Sequence, residues 1–414
     1  MLRSLIKNKY LLLHVLCFAI VLVYRILNGG GLNSIIWTVL GYIFPTAIVW
    51  FLTKNKIVSF HRRIDSYIVF FIPWALSTLG MVRVLGSSDT AWRNPIFYGA
   101  SFYSAYLSFF LFNRKDDPNV VWKSTNPILL ISGPIAYRFL DRTLMSIRRR
   151  LNYFTPYIIV GVFFVNVVAQ PLKSILIPSM LEKWATAVIY ACIFEVYVYF
   201  NFCGFSMLAF GILGLLGFRI PMNFRQPFSS RNIVEFWKGW HVSLSKILKT
   251  IFYGPLRRKN QSLAIIGVFI ASGLWHGSSV NFVLWGGFHG GVYIFTLGLV
   301  RAGYMFIPQI LLPFTLIFGR LLFALNDLSV VFTKKFYTST SLAEHFGIVN
   351  TRSLIACTIG LMLIISEYVF KNHRLFTGRR YKYLRLNPVL TIVTVLIFML
   401  LAFRDVSEAV YGNR

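Results

Sequence analysis

The sequence predicts an all-α, polytopic membrane protein of about eleven transmembrane helices, joined by re-entrant and amphipathic interfacial helices. Three observations predict it. Hydrophobic residues make up 57% of the chain and charged residues 13%, with a mean hydropathy of +0.65, so a water-soluble domain would expose far too much apolar surface. Apolar runs of bilayer length recur along the whole chain. The 42 Lys and Arg against 13 Asp and Glu, a formal charge of +29, gather in short clusters between those runs, as the positive-inside rule requires. On a soluble domain such a charge would indicate nucleic acid. With no basic soluble face to carry it, nucleic acid is not expected as a partner, and the charge goes to topology and anionic lipid head groups.

The expected spans lie near 10–27, 31–52, 67–86, 95–112, 153–177, 183–217, 262–279, 280–302, 306–325, 352–370 and 388–403. The first follows Lys7 and Lys9 in the manner of a signal peptide, but no small-residue cleavage site follows and a second span begins at once, so it reads as a retained helix. A cytoplasmic N-terminus places the basic clusters at 54–63, 114–123, 138–150, 219–259 and 371–385 all on the inner side. Residues 124–150, with Pro127 and the run ISGP at 131–134, are too short and too broken for a clean crossing and read as re-entrant or interfacial, with backbone groups buried by protein. The stretch 183–217 is long enough to be bent or broken around Gly204; two spans there would invert the later topology. No repeat, low-complexity linker or soluble domain is evident, and the chain reads as a single integral membrane domain with N-terminal spans (1–125), a central core (126–300) and C-terminal spans (301–414).

Residues 231–251 carry Ile233, Phe236, Trp237, Trp240, Leu244, Ile247, Leu248 and Ile251 at helical spacing on one face, with Lys238, Ser245 and Lys249 off it. This predicts an amphipathic helix lying along, or dipping into, the inner leaflet. His241 leans toward its buried side, which favours a hydrogen-bonded structural imidazole. His289 stands about 12 Å into the span that starts near Asn281, at 1.5 Å per residue, and a titratable ring at that depth is costly enough to suggest chemistry. Around it Gly286, Gly287, Gly290 and Gly291 would admit either a substrate or a neighbouring helix backbone. A neutral imidazole there can act as general base in acyl transfer. No Ser or Cys adjoins it, so direct transfer is simpler than a covalent enzyme intermediate. His276 falls toward the outer end of its span, where it would line an entrance or orient a partner. Glu195, also within a span, either pairs with a histidine or an arginine or stays a buried protonated acid. Cys17, Cys192, Cys203 and Cys357 lie in apolar segments with no metal or redox spacing.

ISGPIAYRF at 131–139, YFNFCGFSMLAFGILGLLGFRIPMNFRQPF at 199–228, SRNIVEFWKGWHVSLS at 230–245, FYGPL at 252–256, SGLWHG at 272–277 and WGGFHG at 285–290 together resemble the membrane-bound O-acyltransferase family. Its bacterial envelope-modifying branch, which includes alginate and peptidoglycan O-acetyltransferases and the teichoic acid D-alanyltransferase, is the most similar. The resemblance implies helices packed around a buried catalytic histidine, His289, with His276 as a second candidate. Trp237, Trp240, His241, Trp275, Trp285, Asn201 and Glu195 would bind substrate or support the site. It implies no bound cofactor and no metal, only an acyl thioester co-substrate: acetyl-coenzyme A or a phosphopantetheine carrier protein at the cytoplasmic face. It further implies an extracytoplasmic partner transferase and residence in a bacterial cytoplasmic membrane. The nine Lys and Arg between Arg219 and Lys259, against Glu235 alone, would steer coenzyme A phosphates or an acidic carrier protein, or would simply hold the segment inside.

The chain departs from that branch at Asn201, where its members carry Asp, and at Leu248, Lys249 and Thr250, where they carry Trp, Arg and Asp. These departures bear on donor identity. A transporter or flippase of a lipid-linked envelope precursor is the alternative from another class, since broken helices and intramembrane acids suit it too; a silent scaffold is a third. The acyl group, the acceptor polymer, the oxyanion-holding residues and the oligomeric state are not written in the sequence.

Overall fold

A computed structural model describes residues 8–27, 32–58, 63–78, 100–113, 117–133, 135, 137–141, 144–325, 328–338 and 351–369. The expected span at 388–403 lies outside the described residues. The other ten each overlap a helix, with 79–86 and 95–99 of the third and fourth also outside the described residues: α1 (Lys9–Leu27), α2 (Leu32–Lys54), α3 (Arg63–Thr78), α4 (Ala100–Phe112), α7 (Ile147–Phe163), α8 (Trp184–Leu215), α11 (Gln261–His276), α12 (Val280–Arg301), α13 (Phe306–Ala324) and α14 (Thr351–Val369). Between them lie short helices α5 (Val120–Ser124), α6 (Pro127–Ser132), α9 (Ile233–Gly239) and α10 (Val242–Leu248). A two-residue antiparallel pair, β1 (Leu140–Asp141) with β2 (Phe218–Arg219), joins Leu140 to Arg219 and Asp141 to Phe218. This short bridge aside, the described residues are all-helical, as expected.

Among the described residues, five helices are long and apolar enough by composition to cross a bilayer: Ile147–Lys173, Trp184–Leu215, Val280–Arg301, Phe306–Ala324 and Thr351–Val369. The chain is a multi-pass membrane protein. The first of the five extends α7 through a wider π turn at Phe164–Ala169, next to Pro171, whose missing N–H cannot continue a regular ladder. α12, α13 and α14 turn Leu284, Phe295, Phe314, Phe318, Leu361 and Ile365 outward, the side chains that lipid would cover.

The long segment ending near 217 is one unbroken helix of 32 residues. Gly204 does not break it. Instead, a side chain there would fall 2.8 Å from the carbonyl of Gly161 on α7, so the glycine marks a close helix contact, the use small residues have between membrane helices. α8 is the axis of the fold, with 89% of its apolar window covered by protein.

Residues 124–133 behave as a buried, non-crossing piece. Asn126 caps α6 by accepting from the N–H of Ile128 at 3.2 Å, Pro127 starts the helix and Gly133 ends it at φ 82°. The N–H of Ile135 then donates to Ser243 Oγ at 3.1 Å, so this irregular backbone finds protein partners.

The expected single amphipathic helix over 231–251 is corrected. It starts as predicted, with Asn232 accepting from the N–H of Glu235 and Glu235 accepting from the N–H of Arg231, both at 2.9 Å. It breaks at Trp240–His241, where His241 takes φ 41°, ψ 54°. The N–H of Val242 leaves the helical ladder for the carbonyl of Asn223 at 2.8 Å, and the N–H of Arg225 bonds the carbonyl of Gly239 at 2.8 Å. Ile233, Phe236, Trp240, Leu244, Ile247, Leu248 and Ile251 are all buried. Two short helices in near register preserve the apolar spacing while sinking both halves into protein rather than resting them on the leaflet.

Candidate active site

A cavity of about 450 Å³ follows one face of α11, lined by Gln261, Ile265, Val268, Phe269, Ser272 and His276. From the first residue of that helix to the last, the rise is about 22 Å, most of a hydrocarbon core of roughly 30 Å. Lys238, Lys249 and Tyr253 stand at the Gln261 end, which the charge pattern assigns to the cytoplasm. His276, Phe282 and Phe323 stand at the other. Trp237, Trp240, His241, Trp285 and Tyr293 line the middle together with Arg320 of α13.

His241 is 4% exposed and held on one side only. Its Nδ1 lies 2.9 Å from Asn223 Oδ1. That oxygen also receives the N–H of Ser243 at 3.3 Å and the hydroxyl of Ser243 at 2.7 Å, while Asn223 Nδ2 donates to Ser206 Oγ at 3.0 Å. A backbone N–H can only donate, so Oδ1 is the acceptor, Nδ1 carries the proton, and Nε2 keeps its lone pair. Nε2 has no hydrogen-bond partner, and the ring faces the cavity. The expected structural histidine is therefore hydrogen-bonded at Nδ1 and left buried without a partner at Nε2. Removing the amide in Asn223→Ala orphans the groups it serves and is expected to cost about 1–3 kcal/mol. Thermal unfolding in detergent should show a clear drop, and an unchanged midpoint would contradict this role.

His289 is 2% exposed and its Nδ1 has no partner. Its ring packs 4.8 Å from Trp285, 5.2 Å from Trp237 and 5.4 Å from Phe288, centroid to centroid. On α12 it shares the face of Trp285 and Tyr293, both of which line the cavity, but it does not itself line it; Trp237 and Trp285 stand between. Gly319 of α13 makes room for the imidazole, since a side chain at 319 would overlap Nε2. Of the four glycines expected to admit a substrate or a backbone, Gly286 and Gly290 face the α11 backbone, a Cβ falling 2.5 Å from the carbonyl of Phe269 and 3.2 Å from Ile266 Cα respectively. Gly287 and Gly291 meet nothing within 4 Å. Gly286 and Gly290 thus serve helix packing, while Gly287 and Gly291 border open space.

The remaining candidates divide. Glu195 resolves to an arginine partner, Arg320 Nε donating to its Oε2 at 2.6 Å. Trp240 stacks on Phe236 at 5.4 Å. Trp275 is buried behind His241, 5.7 Å from its ring. Asn201 sits in the core of α8, its Nδ2 donating to Tyr197 Oη at 2.9 Å, and does not line the cavity. Sequence reasoning missed three residues. Arg320, an isolated cation inside an apolar span, carried a readable signal. So did Glu367, an acid within α14 that accepts from Tyr199 Oη at 2.7 Å and the N–H of Phe228 at 2.8 Å, tying that helix to the core. Asn223 carried none, because its role depends on a fold-back of 18 residues.

The family model for membrane-bound O-acyltransferases matches residues 32–370. The chain belongs to the membrane-bound O-acyltransferase family. Among curated relatives it is 33% identical over 178 residues to a probable alginate O-acetylase of Pseudomonas fluorescens, covering 39% of this chain and 35% of that protein. It is 36% identical over 117 residues to a peptidoglycan O-acetyltransferase of Helicobacter pylori, covering 27% and 21%. With a teichoic acid D-alanyltransferase of Streptococcus thermophilus it shares 31% identity over 188 residues, covering 38% and 45%. In each case the matched stretch spans less than half the length of the relative.

Proposed function

We propose that this membrane-bound O-acyltransferase family member moves a small acyl group, acetyl or D-alanyl, from a cytoplasmic thioester to a hydroxyl outside the membrane, on a cell-envelope polysaccharide or a relay protein. The observation that carries the reading is the cavity itself, whose wall includes Lys238 and Lys249, the side chain of His241, and His276. A thioester entering at Lys238 and Lys249 would meet an alcohol entering at His276 in a space lined mainly by apolar side chains, which limits wasteful hydrolysis. The expected donors are acetyl-coenzyme A or a phosphopantetheine carrier protein, and an extracytoplasmic transferase would take the product onward. The full architecture in this reading is a single domain of about eleven crossings around His289, in a bacterial cytoplasmic membrane.

His289 is assigned as general base. The alcohol O–H gives its proton to the imidazole as its oxygen bonds the thioester carbonyl carbon. The tetrahedral intermediate then expels the thiolate, which takes the proton from the imidazolium. Reaching the ring requires Trp237 to swing aside. Its Nε1 has no hydrogen-bond partner, so packing alone holds the indole. His241 supports the same reaction from the cavity wall, and Asn223 fixes the tautomer that leaves the lone pair on Nε2.

The reading is tested with purified protein in liposomes, a radiolabelled thioester and a soluble oligosaccharide. Acylated product supports it; transport of a lipid-linked precursor without product would replace it by the flippase reading. In the same assay Lys238→Glu with Lys249→Glu is expected to raise the donor KM roughly tenfold, about 1.4 kcal/mol, with kcat little changed. An unaltered KM would remove these lysines from donor recognition.

A further inference from the structure

We propose that Arg320 holds the acyl carbonyl oxygen and the negative charge that develops on it, making it the oxyanion-stabilising residue of the reaction proposed above, on which this inference rests. An arginine buried inside an apolar span, here about one turn from the end of α13, is expensive. A buried ion pair rarely repays its desolvation against apolar neighbours, so fold stability alone gives little reason for it. Glu195 takes only Nε, at 2.6 Å. The plane of the guanidinium is set by rings on three sides, with Phe194 at 5.5 Å, Phe323 at 5.6 Å and Trp240 at 5.7 Å from its carbon. Its terminal nitrogens have no hydrogen-bond partner among the described residues, and the side chain, 12% exposed, lines the cavity. A planar fork of N–H donors, fixed in orientation and left open toward an apolar space, is what a carbonyl oxygen gaining charge requires.

The neighbouring residue strengthens the assignment. Gly319, immediately before Arg320, is the surface against which the His289 imidazole rests. His289 and Arg320 are thus tied to adjacent positions of α13, and once Trp237 swings aside an acyl carbon held in the cavity by Arg320 would be open to the imidazole. The charges also alternate. In the resting site Arg320 and Glu195 cancel. When His289 takes the alcohol proton, the new imidazolium and the new oxyanion cancel as well, so no net charge is created in a low-dielectric wall.

The test uses the full chain in liposomes, with acetyl-coenzyme A and a D-alanyl phosphopantetheine thioester as donors and a neutral hexose oligosaccharide as acceptor. Arg320→Met is expected to lower kcat by about 10²–10³-fold, with both KM values within about threefold of the parent, and millimolar guanidinium should restore part of the rate. A kcat loss below threefold overturns the inference, as does a loss confined to the acceptor KM, which would make Arg320 a ligand for an anionic acceptor group instead. If Arg320→Met does not fold, Arg320→Lys, which keeps a cation beside Glu195, is judged on the same kcat criterion. Parent protein that acylates nothing from either donor brings down the acyl-transfer reading and this inference with it; an active parent with an equally active variant brings down this inference alone.

Discussion

Replacing His289 by alanine is expected to leave a folded protein whose acyl transfer falls by about 10²–10⁴-fold, the usual worth of a general base. That corresponds to roughly 2.7–5.5 kcal/mol of barrier. The loss should appear in kcat, since the ring sits behind Trp237 and Trp285 and makes no contact with the cavity in which a donor would rest. Donor binding, read by isothermal titration with a non-hydrolysable thioether analogue, should survive. Added imidazole should restore part of the rate, because the vacated space beside Gly319 has the shape of that ring. His241→Ala in parallel ranks the two histidines. His241 lines the cavity and has an unpartnered Nε2, so a fully active His289→Ala with an inactive His241→Ala would move the base role to His241.

Two adjacent glycines provide the second large effect and its control. A Cβ at Gly286 would fall 2.5 Å from the carbonyl of Phe269 and 2.9 Å from Ile270 Cα. These are backbone atoms of α11 that no rotamer change can move. Gly286→Ala therefore forces α11 and α12 apart, at an expected cost of about 1–3 kcal/mol or somewhat more. It also shifts His289, less than one turn away, against Gly319. Both the unfolding midpoint and the transfer rate should fall. Gly287→Ala adds the same methyl group where nothing lies within 4 Å and removes a helix-disfavouring glycine, so its midpoint should hold or rise slightly. Equal behaviour of the two variants would mean that helix propensity, not the α11–α12 contact, governs this region.

The helices were legible because hydrophobic run length is a local property that the bilayer enforces span by span. The break at His241 was not. Its apolar residues keep helical spacing on both sides of the interruption, and the left-handed backbone falls on a histidine, with no glycine at 241 to announce it. The partners of Glu195 and His241 were also hidden. Arg320 is 125 residues from one and Asn223 lies 18 residues from the other, and a single sequence carries no record of such pairings. The motifs named the right residues for the cavity wall, His241, His276, Trp237, Trp240 and Trp285. What they did not reveal was the layering, with His289 one indole away from the space its neighbours enclose.

The central helix α8 spans about 48 Å at 1.5 Å per residue, well beyond the thickness of hydrocarbon it crosses. Because protein sheathes it, membrane thinning or thickening has little purchase there. α12 and α13 are different, with only 28% of each apolar window covered, and they carry His289 and Arg320. Acyl-chain length in the surrounding lipid would thus press directly on the two helices that carry the proposed base and oxyanion ligand, against a mast that does not yield, and the spacing of imidazole and guanidinium would become a quantity the host membrane can tune.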